Sequence, residues 1–90
     1  MYEIAYSNQF DKDLKLVAKR GYDIDLVREV IKELHHSGKL HSRYLTHKLH
    51  GQYKNYLECH IKPDWLLIWK QDDTAKTILL TRTGKHTDLF

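Results

Sequence analysis

The sequence predicts an α+β fold: an N-terminal strand, two helices, then three antiparallel strands forming a small sheet with the helices on one face. Three observations predict it. Residues 2–6, YEIAY, alternate with the period of a half-buried strand. Between residues 7 and 38, apolar side chains recur at three- and four-residue spacing, the period of a helix packed on one side. From residue 53 onward, strand alternation returns in segments separated by short polar turns. Ninety residues make a single domain, 1–90, long enough for one sheet under a pair of helices.

Each element has its own signal. In the first strand Tyr2, Ile4 and Tyr6 share a face, with Glu3 and Ala5 on the other. Ser7 stands at the cap position of the first helix, where its hydroxyl can accept an orphan backbone N–H. Phe10, Leu14, Val17 and Ala18 follow at helical spacing, and Gly21 supplies a left-handed stop. Asp23 or Asp25 caps a second helix carrying Val27, Val30, Ile31 and Leu34 on one face, and Gly38 ends it. Residues 39–52 read as a polar connection. Residues 53–61 read as a strand, with Tyr53, Asn55, Leu57, Cys59 and Ile61 on one face and Lys54, Tyr56, Glu58 and His60 on the other. Lys62-Pro63-Asp64 is a turn, because proline fixes φ and biases its predecessor toward extended geometry. Residues 65–70 are apolar on both faces, as a central strand requires. Gln71-Asp72-Asp73 is a second turn, residues 76–83 are the last strand, and Gly84 ends it.

Composition narrows the functional classes. With 41% hydrophobic and 30% charged residues the chain is built to fold, which excludes a disordered tail. The longest apolar run, WLLIW, is far short of the roughly 20 residues that cross a membrane. MYEIAYSNQF has neither the basic start nor the apolar length of a signal peptide, and a lone Cys59 makes no internal disulfide. A cytoplasmic protein is the expectation. Formal net charge is +3. From Lys39 to Lys62 there are five basic side chains (Lys39, Arg43, Lys48, Lys54, Lys62) against one acid, Glu58, and four histidines. This bias suits a polyanion, whose phosphates attract Lys and Arg, and is also what a solvated basic loop carries.

The hairpin turn brings His60 near Asp64 and Trp65, while Arg82 and His86 bracket the end of the last strand. If that strand neighbours 65–70, then His60, Asp64, Arg82 and His86 share one edge of the sheet. The set holds the parts for cutting RNA without a metal or other cofactor. A base takes the proton of the ribose 2′-hydroxyl, an acid protonates the departing 5′-oxygen, and a cation steadies the phosphorane. Histidine suits both proton transfers, and arginine grips two phosphate oxygens at once. Lys54 and Lys85 add cations for the phosphates, and Trp65, Tyr53, Tyr56 or Phe90 can stack an unpaired base. Plainer readings stay open: surface histidines, an Arg82–Asp64 structural ion pair, and Trp65 and Trp69 both in the core. His47-x2-His50 with His60 lacks the Cys pair or second His pair of a zinc site, so no metal site is expected. A basic RNA-binding module competes with an RNA-cutting enzyme at this point.

HKLHGQYKNYLECHIKPDWLLIWK (47–70) and TRTGKHTDLF (81–90) resemble the YafQ-type branch of the RelE/ParE toxin superfamily. The shared features are a His-x-Leu-x-Gly-x-aromatic-Lys lead-in, a His-x-x-Pro-Asp-Trp-aliphatic-aliphatic core and an Arg-x-Gly-x-His-x-x-Leu-Phe ending. The resemblance spans essentially the whole chain. It implies a RelE-like fold and the toxin of a type II toxin–antitoxin system, an endoribonuclease that cuts mRNA, generally on the ribosome. By that similarity His60 and Asp64 match acid–base positions, His86 the general acid, Arg82 the phosphate-stabilising cation and His47 a further active-site histidine. Trp65 and Phe90 match positions tied to activity through packing or substrate placement. The matching leaves open which histidine is the base. It also implies a cognate antitoxin that binds DNA and covers the site with an acidic or amphipathic tail. The alternatives are a gyrase-targeting toxin of the ParE type, against which the retained His60, Asp64, Arg82 and His86 speak, and a non-catalytic RNA-binding regulator.

Overall fold

A computed structural model of the chain describes residues 1–90. The elements are β1 (Glu3–Tyr6), α1 (Asn8–Lys19), α2 (Ile24–Ser37), β2 (His47–Lys48), β3 (Tyr56–Lys62), β4 (Trp65–Asp72), β5 (Thr77–Gly84) and α3 (His86–Leu89). The five strands form one sheet in the order β1-β5-β4-β3-β2. Only the β1–β5 pairing is parallel; β5, β4, β3 and β2 are joined antiparallel.

The helix signals work as their chemistry requires. Ser7 Oγ accepts the Phe10 N–H at 2.9 Å and donates its own hydroxyl to Thr81 O at 2.8 Å, so the cap also ties α1 to β5. Asp23 caps α2 by accepting the Asp25 N–H at 3.0 Å. Gly38 closes α2 in the left-handed region at φ 69°, its N–H bonded to Leu34 O at 2.8 Å.

Both helices lie on one face of the sheet. Phe10, Val17, Val27, Val30 and Leu34 pack there against Cys59, Trp65, Leu67, Trp69, Ile78 and Leu80. Leu66, Ile68 and Leu89, with Leu49 and Tyr56 against them, form a smaller cluster of their own. Leu66 and Ile68 alternate with Trp65, Leu67 and Trp69 along β4, so this cluster lies on the opposite face. That explains why β4 is apolar on both sides. The second cluster also seats the C-terminal tail, because Leu89 of α3 is one of its members.

Three expectations change. The strand expected from residue 53 starts at Tyr56, because Gly51–Tyr53 form a 3-10 turn and Asn55 has φ 79°. The 39–52 connection contains a 3-10 turn at Ser42–Tyr44 and the strand β2, whose two residues are too few to display alternation. The turn expected at Gln71-Asp72-Asp73 comes later, because β4 runs on to Asp72; beyond Gly84 the tail forms the helical turn α3. No helix is long and apolar enough to cross a membrane.

Candidate active site

Strand register builds the site on the face away from α1 and α2. His47 is opposite Glu58, Glu58 opposite Ile68, and Ile68 opposite Arg82. Residues opposed in antiparallel ladders project to the same side, so these four form one rung. At about 4.8 Å per strand, Glu58 and Arg82 are about 10 Å apart along it. On the next rung His60 faces Leu66 and Leu66 faces Gly84, after which α3 carries His86. The register therefore brings His47, His60, Arg82 and the His86 helix toward one end of one face.

His47 Nε2 lies 3.0 Å from Glu58 Oε1, and His47 Nδ1 lies 2.9 Å from the Leu45 carbonyl. One proton between Nε2 and Oε1 satisfies both atoms. The His47 and His60 rings are 6.1 Å apart. His60 Nδ1 sits 3.3 Å from the Pro63 carbonyl, which assigns the ring proton to that nitrogen and leaves the Nε2 lone pair free. Glu58 is only 6% exposed and its second oxygen, Oε2, has no hydrogen-bond partner. A nearly buried carboxylate within reach of two imidazoles makes Glu58 a candidate member of the site. Sequence reasoning did not nominate Glu58. Its signal was present: the sole acid between Lys39 and Lys62, two residues before His60 and therefore on the same strand face.

Arg82 is paired, but not with Asp64. Its Nε donates to Asp13 Oδ2 at 2.7 Å and its Nη2 to Asp13 Oδ1 at 3.3 Å, joining β5 to α1. The hydrogen bond to Asp13 raises the guanidinium pKa above its ordinary value, against the opposing effect of burial. Asp64 is exposed in the β3–β4 turn and lines a separate cavity of about 380 Å³ with Tyr22, Asp23, Leu26, Lys62 and Trp65. It forms no hydrogen bond or ion pair with the histidines or Arg82.

Trp65, expected as a possible stacking platform, is 2% exposed and closed to any base. Its ring meets Tyr22 edge-on, and its Nε1 donates to Thr83 Oγ1 at 2.8 Å. Any influence on the site runs through packing under β5. Cys59 is fully buried on the helix side, and burial pushes its thiol up to about 12, which removes it as a nucleophile.

The more accessible aromatics are elsewhere. Exposed Phe90 lies tilted against the His86 ring at 5.0 Å and edge-on to half-buried Tyr53 at 5.2 Å, and Tyr53 meets half-buried Tyr56 edge-on at 6.2 Å. Leu89, buried below, anchors this row, and Asp88 Oδ2 accepts from Arg20 Nη1 at 2.7 Å and from the Lys85 N–H at 3.3 Å. The Arg20 hydrogen bond holds the Asp88 carboxyl below the usual carboxylate range. Lys85 opens α3 and Lys54 closes the 3-10 turn beside Tyr53. A groove of about 1090 Å³, lined by Lys48, His50, Lys54, Tyr56 and Lys70 among others, runs along the same open face.

The family model described as "Bacterial toxin of type II toxin-antitoxin system, YafQ" matches residues 2–90. The chain belongs to the YafQ toxin family. The mRNA interferase toxin YafQ of Escherichia coli strain K12 is 38% identical over 89 residues, 98% of this chain and 95% of that protein. Among solved structures, YafQ from E. coli strain BL21(DE3) superposes with a TM-score of 0.92 at 36% identity, covering 100% of this chain and 99% of that one. The E. coli DinJ–YafQ complex gives 0.90 at 37%, with the same coverage. A metal-bound toxin from Helicobacter pylori gives 0.90 at 40%, covering 100% of both chains. The α+β arrangement read from the sequence is thus the YafQ fold, including the helices on one face and the mostly antiparallel sheet.

Proposed function

We propose that this chain is the mRNA-cutting toxin of a type II toxin–antitoxin pair, an endoribonuclease that works without a metal. The observation that supports the reading is the sheet register, which puts the His47–Glu58 pair and Arg82 on one rung and His60 on the next, with the His86 helix following directly after β5. His60 takes the 2′-hydroxyl proton, because its Nδ1–H is committed to the Pro63 carbonyl and its Nε2 is not. Glu58, with His47 against it, stabilises the imidazolium that forms. The 2′-oxygen attacks phosphorus, Arg82 binds the charged non-bridging oxygens, and His86 gives a proton to the 5′-oxygen as its bond to phosphorus breaks. The products are a 2′,3′-cyclic phosphate and a 5′-hydroxyl. The 2′-hydroxyl requirement makes the enzyme specific for RNA. Phe90 and Tyr53 offer a stacking surface beside His86, and Lys54 and Lys85 grip flanking phosphates. Asp64, which the resemblance matches to an acid–base position, stands in the turn whose Pro63 carbonyl meets His60.

The substrate is mRNA in the cytoplasm, taken on the ribosome. The partner is a DNA-binding antitoxin whose acidic or amphipathic segment covers the basic open face. The E. coli YafQ complex with DinJ supports such a partnership. Incubating the protein with defined mRNA, with and without ribosomes, and mapping new 5′ ends tests the reading. Cuts within coding sequence are expected. Intact mRNA accompanied by DNA damage signalling on induction would move the protein to the gyrase-targeting class.

A second reading rests on a separate observation. His47, Glu58 and His60 each offer a ligand atom within 4.8 Å of the others, two imidazoles and a carboxylate suited to a transition-metal ion. The metal-bound H. pylori toxin lends this weight. An ion held there would occupy the lone pairs that the cleavage chemistry needs, so Zn²⁺ or Cu²⁺ inhibits. Cleavage that is insensitive to added Zn²⁺ would remove the metal reading and leave the nuclease reading untouched.

A further inference from the structure

Asp13 belongs to no part of the chemistry described so far, yet it is the most heavily hydrogen-bonded carboxylate in the molecule. Its side chain is 8% exposed. Oδ2 accepts from Arg82 Nε at 2.7 Å and from the Thr83 N–H at 3.1 Å, and Oδ1 accepts from Arg82 Nη2 at 3.3 Å and Gln9 Nε2 at 3.0 Å. Thr83 in turn donates its hydroxyl to Leu66 O at 2.7 Å and accepts from Trp65 Nε1 at 2.8 Å. One carboxylate on α1 therefore links β5 to the first turn of its own helix and, through Thr83, to β4.

The geometry points to Asp13 as a positioning residue for Arg82, a deepening that rests on the nuclease reading above. A guanidinium has two edges that bind oxygen pairs: Nε with Nη2 along its side, and Nη1 with Nη2 at its tip. Asp13 occupies the side edge. The tip edge, with Nη1 free of any protein acceptor, is left for phosphate oxygens, and the Arg82 side chain keeps 26% of its surface exposed. Because Asp13 is itself held by Thr83 and Gln9, it fixes the plane of the guanidinium as well as its place. This accounts for an arginine near the open face being bonded to a helix on the other side of the sheet. A phosphate-binding cation fixed before substrate arrives loses no orientation at the moment of reaction. The same arrangement ties Trp65 to the site: its indole N–H bonds Thr83, whose backbone N–H bonds Asp13.

The plain alternative is an ion pair that only fastens α1 to β5, and activity, rescue and spectroscopy together separate the two. Asp13→Asn keeps the size and one acceptor oxygen but loses the charge. It is expected to lower kcat about 10- to 100-fold with KM within about twofold, the size expected when a transition-state contact is misplaced. In an Arg82→Ala background the same change should add nothing. Low-millimolar guanidinium should partly restore Arg82→Ala, and fail to restore the Asp13→Asn/Arg82→Ala double variant. Equal losses from Asp13→Asn in both backgrounds, or rescue independent of Asp13, would overturn the assignment. Arg82→Lys guards against a variant that does not fold, since lysine keeps the charge without the two-edged fork; a fully active lysine variant contradicts the proposal. The Arg82 Nε–H resonance, slowly exchanging in wild type and averaged in Asp13→Asn, reports the orientation with no RNA present. It separates a failure of this inference from a failure of the nuclease reading.

Discussion

Glu58 and Arg82 stand on one rung of the sheet with Ile68 between them, a buried carboxylate and a partly exposed arginine whose guanidinium is bonded to Asp13 of α1. His47 is bonded to Glu58, His60 lies two residues further along β3, and His86 lies four residues beyond Arg82. If Glu58 stabilises the charged imidazole formed in the first proton transfer, Glu58→Gln should slow cleavage about 10- to 100-fold while KM and the melting temperature change little. Single-turnover cleavage measures this. A full rate would remove Glu58 from the chemistry.

The tail should matter for substrate placement rather than stability. Phe90 is 51% exposed and lies against His86 and Tyr53, so little core packing is lost without it. Deleting Phe90, or changing Tyr53 to Ala, should weaken RNA binding by about 1–3 kcal/mol if either ring stacks a base. Binding of a non-cleavable 2′-deoxy substrate gives the number, and unchanged affinity in both variants would reduce the aromatic row to packing.

Much of this was legible in the sequence because the signals are local. Ser7, Gly38 and the Lys62-Pro63-Asp64 turn announce element ends through backbone chemistry that neighbours do not alter. The two-sided apolar run Trp65–Trp69 marks the central strand. What the sequence withheld depends on distant contact. β2 exists because His47 and Lys48 pair with β3, and two residues have no period to detect. Asp13 is one polar residue in an amphipathic helix, 69 positions from the arginine it holds. Nothing local separates it from Asp11, which is exposed. Trp65 was nominated first as a stacking platform and again through the resemblance, and its burial under β5, which depends on distant packing, closes its ring to a base.

Gly38 is a test of the fold that leaves the site alone. It adopts φ 69°, and a Cβ there would collide with the Tyr2 ring. Gly38→Ala should cost at least about 2 kcal/mol from left-handed strain and the clash, lowering the melting temperature by about 10 °C. A thermal melt within a degree or two of wild type would mean that Tyr2 yields freely.

Acid should release the tail before it unfolds the sheet. Asp88 has a lowered pKa in the folded state, first through its hydrogen bond from Arg20, so the anchor is fully present above the unfolded value of about 3.9 and is lost as pH falls through the folded value below it. Amide exchange in α3 should therefore be independent of this pair near neutrality and lose protection below about pH 3.9, after correction for the intrinsic rate. Arg20→Ala should produce the loosened tail already at pH 7. Protection of α3 that is unaffected by Arg20→Ala would dismiss the anchor.

The most direct test of the central claim is the chemistry of the cut ends. Defined mRNA, cleaved on ribosomes by the wild-type protein and by His60→Ala, Arg82→Ala and His86→Ala variants that remain folded, should give 2′,3′-cyclic phosphate and 5′-hydroxyl ends with wild type alone. Ends bearing 5′-phosphate, or full activity in all three variants, would contradict it.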